Sequence, residues 1–182
     1  GQESQGVQGF YSLDDLETID ARSHAVKHAV IVGGGLIGVE VAEMYRSRGV
    51  AVTFLVRESS FWKDVLPEEE GTLVQQEILA HHVDLRLNTE LSEIIADSSG
   101  AVSEVVTLSG ERIPCQSVII TVGVHPNIEW LQQSGIACDR GIIIDHQFHT
   151  NCEGVYAVGD CAQFEKPYAG RRAIEQVWYT GK

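Results

Sequence analysis

Basic residues are scarce in this sequence. Thirteen Lys and Arg stand against 26 Asp and Glu in 182 residues, a formal net charge of −13. Such a chain offers a polyanion no cationic surface, which excludes nucleic acid as a partner. No apolar run approaches the roughly 20 residues of a membrane-spanning helix, and no low-complexity tract marks a disordered segment. Methionine occurs once, at Met44, so the chain does not open on an initiator. Gly1-Gln2-Glu3 supplies neither the basic nor the apolar region of a signal peptide. These features suggest a piece of something longer. Paired cysteines are missing too: Cys115, Cys138, Cys152 and Cys161 form no C-x-x-C, and the seven His are dispersed. Neither a metal site nor a sequence-adjacent redox disulfide is expected. Four small buried thiols in a reducing, cytoplasmic setting are.

With 43% hydrophobic residues, the length suits one compact domain or one and a fraction. Residues 1–25 are polar, with Leu13, Leu16 and Ile19 able to form a short amphipathic turn after Ser12, and read as a linker or lead-in helix. Ala29-Val30-Ile31-Val32 is a continuous apolar run, as in a parallel strand buried on both faces. Leu36–Ser47 reads as a helix stopped at Gly49, and Val50–Val56 as a second strand, which together make a right-handed βαβ unit. A helix from Pro67 to about His82 and a strand Val83–Leu87 follow. Glu93–Ala96, Ala101–Leu108 and Arg112–Cys115, separated by Ser/Gly turns, spell an antiparallel meander. Val118–Val122 is another buried strand. Beyond it the pattern predicts a short helix Ile128–Ser134 capped by Asn127, strands Ile142–Asp145 and Gly154–Val158, and a helix from about Ala173.

Gly33-x-Gly35-x-x-Gly38 sits directly between the first strand and its helix. The first glycine permits a tight turn, the second lets backbone approach a pyrophosphate, and the third lets helix and sheet pack closely. The amides of Leu36 and Ile37, in the first helical turn, would then face the phosphates. Strand, glycine turn, helix and strand in this order point to an NAD(P)H site. Selectivity is read at the end of the second strand, where Val56-Arg57-Glu58 stands. Val56 cannot accept bonds from a ribose 2′-OH, whereas Arg57 could clamp a 2′-phosphate, so NADPH is narrowly favoured. Glu58 either neutralises Arg57 or itself reaches the ribose.

Three motifs carry a family resemblance. They are Val30-Ile31-Val32-Gly33-Gly34-Gly35-Leu36-Ile37-Gly38-Val39-Glu40, then Val118 through Gly123-Val124-His125-Pro126-Asn127, then Thr150-x-x-x-x-Val155-Tyr156-Ala157-Val158-Gly159-Asp160. In this order they resemble the FAD-dependent pyridine nucleotide–disulfide oxidoreductase superfamily and cover nearly the whole chain from His28. The resemblance implies an α/β, Rossmann-like FAD/NAD(P)-binding fold, with a parallel sheet, helices on one face and an antiparallel meander on the other. It divides the chain into a lead-in (1–25), an NAD(P)H-binding domain (26–125) and a returning segment of a discontinuous FAD-binding domain (126–182). It also implies roles. Gly123 would join the NAD(P)H site, Glu40 would lie at its nicotinamide end, and Arg57 with Lys63 would match the basic pair of NADPH-using relatives. Gly159 and Asp160 would hold the ribityl chain of FAD, and Glu175-Gln176-Val177-Trp178 would lie near a helix aimed at the flavin.

The departures are equally specific. The family's first glycine fingerprint, which binds the ADP half of FAD, is absent from this sequence, as are a redox cysteine pair and a dimerisation domain. The resemblance therefore implies a fragment that binds NAD(P)H, binds FAD poorly and is inactive alone. The parent would pass hydride from NAD(P)H to FAD and then electrons to an unidentified acceptor, with a homodimer among its possible assemblies. No catalytic residue is assigned. The alternative is a non-catalytic nucleotide-binding or interaction module on the same scaffold.

Overall fold

The structure, a computed structural model, describes residues 1–63, 66–169 and 173–174. Two compact units divide at Gly123, residues 1–123 and 124–182. In the first, the chain runs through β1 (Val7–Gln8), α1 (Leu13–Ser23), β2 (His28–Val32), α2 (Leu36–Ser47), β3 (Ala51–Leu55), α3 (Glu68–Ala80) and β4 (Asp84–Arg86). The meander β5 (Leu91–Ala96), β6 (Val102–Thr107) and β7 (Arg112–Pro114) comes next, followed by β8 (Ser117–Ile120). Five strands form one sheet in the order β1-β8-β2-β3-β4, every neighbouring pair parallel.

Alternation along β2 explains why both faces of this sheet are covered. Successive side chains point to opposite faces. Ala29 and Ile31 pack with Ile19, Val41, Tyr45 and Ile78 of the helices, while Val30 packs with Val105, Ile113 and Cys115 of the meander side. A strand apolar at every position from Ala29 to Val32 needs a cover on each side, and the helices and the β5–β7 layer supply them. The α/β architecture expected from the sequence is the one observed.

Of the two readings of 1–25, linker or lead-in helix, the structure shows a helix. Val7 and Gln8 pair with Val118 and Ile119, and α1 runs for 11 residues. Its start is a reciprocal cap: Ser12 accepts from the Asp15 amide, while Asp15 accepts from the amide of Ser12 at 2.9 Å. Two amides left unpaired by helix geometry are thereby satisfied.

The second unit is built on β9 (Ile142–Ile144) and β10 (Ala162–Phe164), a parallel pair over a small core of Leu131, Ile144, Ala157 and neighbours. Two expectations are corrected here, and a third falls outside the described residues. The helix over 128–134 is only a 3-10 turn at Glu129–Leu131, and Asn127, expected as its cap, instead accepts from the Trp130 indole through its carbonyl at 3.0 Å. Gly154–Val158 is not a ladder strand: its backbone closes local bonds, Val155 to the Cys152 carbonyl and Thr150 to the Val155 carbonyl, with one bridge between His149 and Tyr156. The helix expected from about Ala173, with Glu175-Gln176-Val177-Trp178, lies outside the described residues except for bends at Ala173 and Ile174.

Candidate functional site

The carboxyl ends of the parallel strands carry the candidate site. From β2 the sheet continues to β3 and β4 on one side and to β8 and β1 on the other. The order reverses beside β2, and such a switch point opens a crevice at the strand ends.

Gly33 turns the chain out of β2 with φ of +113°, and a Cβ there would lie 2.6 Å from the Thr121 carbonyl oxygen. Gly38 is buried in the first turn of α2, and a Cβ would sit 2.6 Å from both the Gly33 carbonyl and the Phe54 ring. Those two glycines are required by the fold itself. Gly35 is different: among the described residues a Cβ there would meet only the Thr121 oxygen at 3.9 Å, so its backbone is open to close approach. Gly35 is also the N-cap of α2, and among the described residues no side chain caps that end. The amides of Leu36, Ile37 and Gly38 begin the helix without side-chain acceptors, the dipole's positive end is exposed, and an anion fits there.

The turn is held from the next strand. Thr121 donates its hydroxyl to the Val32 and Gly33 carbonyls, 3.0 Å in each case, and its amide bonds Val32 as well. Gly123, two residues on, is exposed with φ of +125° and accepts from the Tyr11 phenol at 3.4 Å. Neither Thr121 nor Tyr11 is apparent from the sequence pattern. The Ser12-x-x-Asp15 cap that holds the Tyr11 backbone is its only local signal.

At the end of β3, Arg57 donates Nε to Glu58 Oε1 at 2.7 Å. This bond is the main cause holding the Glu58 carboxyl below its usual range. Of the two readings open at Glu58, the structure therefore shows the one in which it pairs with Arg57. Lys63 is an exposed side chain in the turn after Phe61, whose buried ring packs edge-on against Phe54 at 5.8 Å and so anchors that loop. Glu40 lies exposed on α2.

In the second unit, Gly159 takes φ of +81° and opens the 3-10 turn Gly159–Cys161 that leads into β10. Asp160 is exposed in that turn. An open carboxylate beside a glycine backbone is chemically suited to the hydroxyls of a polyol.

A glycine turn at a switch point, an uncapped helix start and a charged strand end sit on a fold of one class: Rossmann-like and FAD/NAD(P)-binding in type, with helices on one face of the parallel sheet and the meander on the other. The chain belongs to the pyridine nucleotide-disulphide oxidoreductase family, whose sequence profile matches residues 1–178. It is 33% identical over 177 residues to the ferredoxin reductase component of chlorobenzene dioxygenase from a Cupriavidus strain, covering 96% of this chain and 42% of that protein. It is 28% identical over 170 residues to a rubredoxin-NAD(+) reductase of Ectopseudomonas oleovorans, covering 93% and 44% respectively. Among solved structures, a ferredoxin reductase from Rhodopseudomonas palustris superposes with a TM-score of 0.89 at 28% identity, over 96% of this chain and 43% of that one. The chain thus spans less than half the length of these relatives.

Proposed function

We propose that this chain is the NAD(P)H-binding part of an FAD-dependent reductase that delivers electrons to a small iron–sulfur protein. The observation that carries the first half is the uncapped start of α2 behind Gly35, where the first helical amides have no side-chain acceptor and a Cβ would meet only the Thr121 oxygen among the described residues. The second half rests on relatives named for ferredoxin and rubredoxin. When bound, nicotinamide and flavin supply the hydride chemistry, and the protein contributes position and electrostatics. In this reading the Gly33–Gly38 turn with Leu36 and Ile37 binds the pyrophosphate, Glu40 and Gly123 border the nicotinamide half, and Gly159 and Asp160 hold the ribityl chain of FAD. The 182 residues alone bind FAD poorly and turn over little, because the glycine fingerprint they contain is spent on NAD(P)H. Free thiols at all four cysteines favour a reducing, cytoplasmic compartment.

The NADPH preference drawn from Arg57 and Lys63 finds no support in relatives named as NAD(+) reductases. The pairing of Glu58 with Arg57 weighs the same way, since it sets a carboxylate, which repels a 2′-phosphate, beside the cation that would hold one. We read the site as one that prefers NADH. Calorimetric titration of NADH and NADPH into the 182-residue chain tests both points. Tight NADH binding that is weakened at least tenfold in Gly35→Ala, with thermal stability kept, is the expected result. If neither dinucleotide binds more tightly than about 1 mM, roughly −4 kcal/mol, the reading fails and a non-catalytic interaction module takes its place.

A further inference from the structure

Tyr11 is an exposed aromatic ring held in one place. Its relative exposure is 59%, yet three contacts fix it. The Tyr11 amide donates to Asp15 Oδ2 at 2.8 Å, which ties the residue to the capping box of α1. The ring lies on the bare backbone of Gly9, where a Cβ would come within 2.2 Å of Cε2. The phenol donates to the Gly123 carbonyl at 3.4 Å, a long and therefore weak bond, so the placement owes more to Gly9 and Asp15. A solvent-facing tyrosine gains little from such an arrangement unless something covers its open face.

The order of strands indicates what that is. At the carboxyl edge, Arg57 and Glu58 follow β3, the glycine turn follows β2, Thr121–Gly123 follows β8, and Tyr11 follows β1. A dinucleotide whose pyrophosphate rests at β2 and whose adenosine ribose meets the residues after β3 must send its other nucleoside toward β8 and β1. Val122, 70% exposed, and the Gly123 backbone lie on that path, with Tyr11 at its end. We infer that Tyr11 is a positioning residue for the nicotinamide ring, its fixed aromatic face and the Gly123 backbone forming the wall against which that ring packs. The inference rests on the dinucleotide reading above and adds a residue to it. The chemistry recognised is a flat, carboxamide-bearing ring, which packs on the face of a phenol ring irrespective of the phosphate at the far ribose.

The test compares NADH with ADP-ribose, which keeps the adenosine and the pyrophosphate but has no nicotinamide. Binding to the 182-residue chain is measured by calorimetry for the native protein, Tyr11→Ala and Tyr11→Phe. Native protein should bind NADH more tightly than ADP-ribose. Tyr11→Ala should weaken NADH by about fivefold or more, the size expected for loss of one stacked ring, and leave ADP-ribose unchanged. Tyr11→Phe should restore NADH binding, because the ring rather than the hydroxyl makes the wall. Equal loss of both ligands in Tyr11→Ala would assign Tyr11 to the loop and overturn the inference. So would equal native affinities for NADH and ADP-ribose, a result that leaves the pyrophosphate site standing. Binding of neither ligand by native protein overturns this inference together with the reading on which it rests.

Discussion

Two glycines three residues apart behave differently because their Cα hydrogens point at different things. At Gly38 the hydrogen faces the Gly33 carbonyl and the Phe54 ring, and a methyl cannot enter without moving α2 off the sheet. Gly38→Ala is therefore expected to lower stability by about 1–3 kcal/mol, the usual range for overpacking, read as a lower denaturation midpoint. At Gly35 the hydrogen faces space, and the same substitution is expected to spare the midpoint and reduce dinucleotide affinity. If Gly38→Ala proved neutral to folding, the close packing of α2 on β3 would be wrong. The sequence motif already divides the two, Gly35 for the pyrophosphate and Gly38 for packing; what it does not name are the partners, Phe54 and Thr121, which arrive from other strands.

Among the elements, α1 shows where a sequence pattern is read correctly and weighed too lightly. Ser12 and Asp15 are visible in the chain, but the length of the helix depends on Ile19 being buried among residues of the sheet and α2, which no local pattern states. Ser12→Ala should cost about 0.5–2 kcal/mol, checked by denaturant unfolding. Acid should act on the same cap. The Asp15 carboxyl is held below its ordinary value chiefly by the Tyr11 amide. Its contribution is present above the unfolded carboxylate pKa of about 4 and is lost as pH falls through the lower folded value. Stability measured against pH should fall more gently in Asp15→Asn than in the native chain below that range; parallel curves would remove Asp15 from the cap.

β2, its glycine turn and α2 are legible in the sequence because every cue is local: an apolar run, punctuating glycines and helical periodicity within 20 residues. β1 is not, because two residues make a strand only by pairing with Val118 and Ile119, more than 100 positions away. The run 154–158 fails for the converse reason. Val155, Tyr156 and Val158 have strand-like composition, but Val155 closes its bonds with Cys152 and Thr150, Tyr156 makes a single bridge with His149, and of the run only Ala157 is buried. β propensity reports a fit to a pleated surface, so it is satisfied only where a ladder partner exists.

At the scale of the whole molecule, the four cysteines fall on either side of the division between the two units. Cys115 is buried beneath the meander in the first, with its thiol pushed up to about 12 by desolvation, while Cys138, Cys152 and Cys161 lie in the second and are at least partly accessible. Because the thiolate is the reacting species, alkylation at neutral pH should modify cysteines of the second unit in the folded protein and spare Cys115. Modification of Cys115, followed by peptide mass mapping through a denaturant series, should then report opening of the first unit alone. Rapid labelling of Cys115 in native buffer would contradict its burial.

The Thr121 hydroxyl has a further consequence. One proton, shared between the Val32 and Gly33 carbonyls, rivets the end of β8 to the turn that leaves β2. The two strand ends are thereby tied to each other by side chain and backbone alike, and a ligand that spans them would meet an edge already joined. Thr121→Val keeps the shape of the side chain and removes the rivet. Its effect should appear less in the resting fold, where the Thr121 amide still bonds Val32, than in a larger entropic penalty when a dinucleotide bridges the gap.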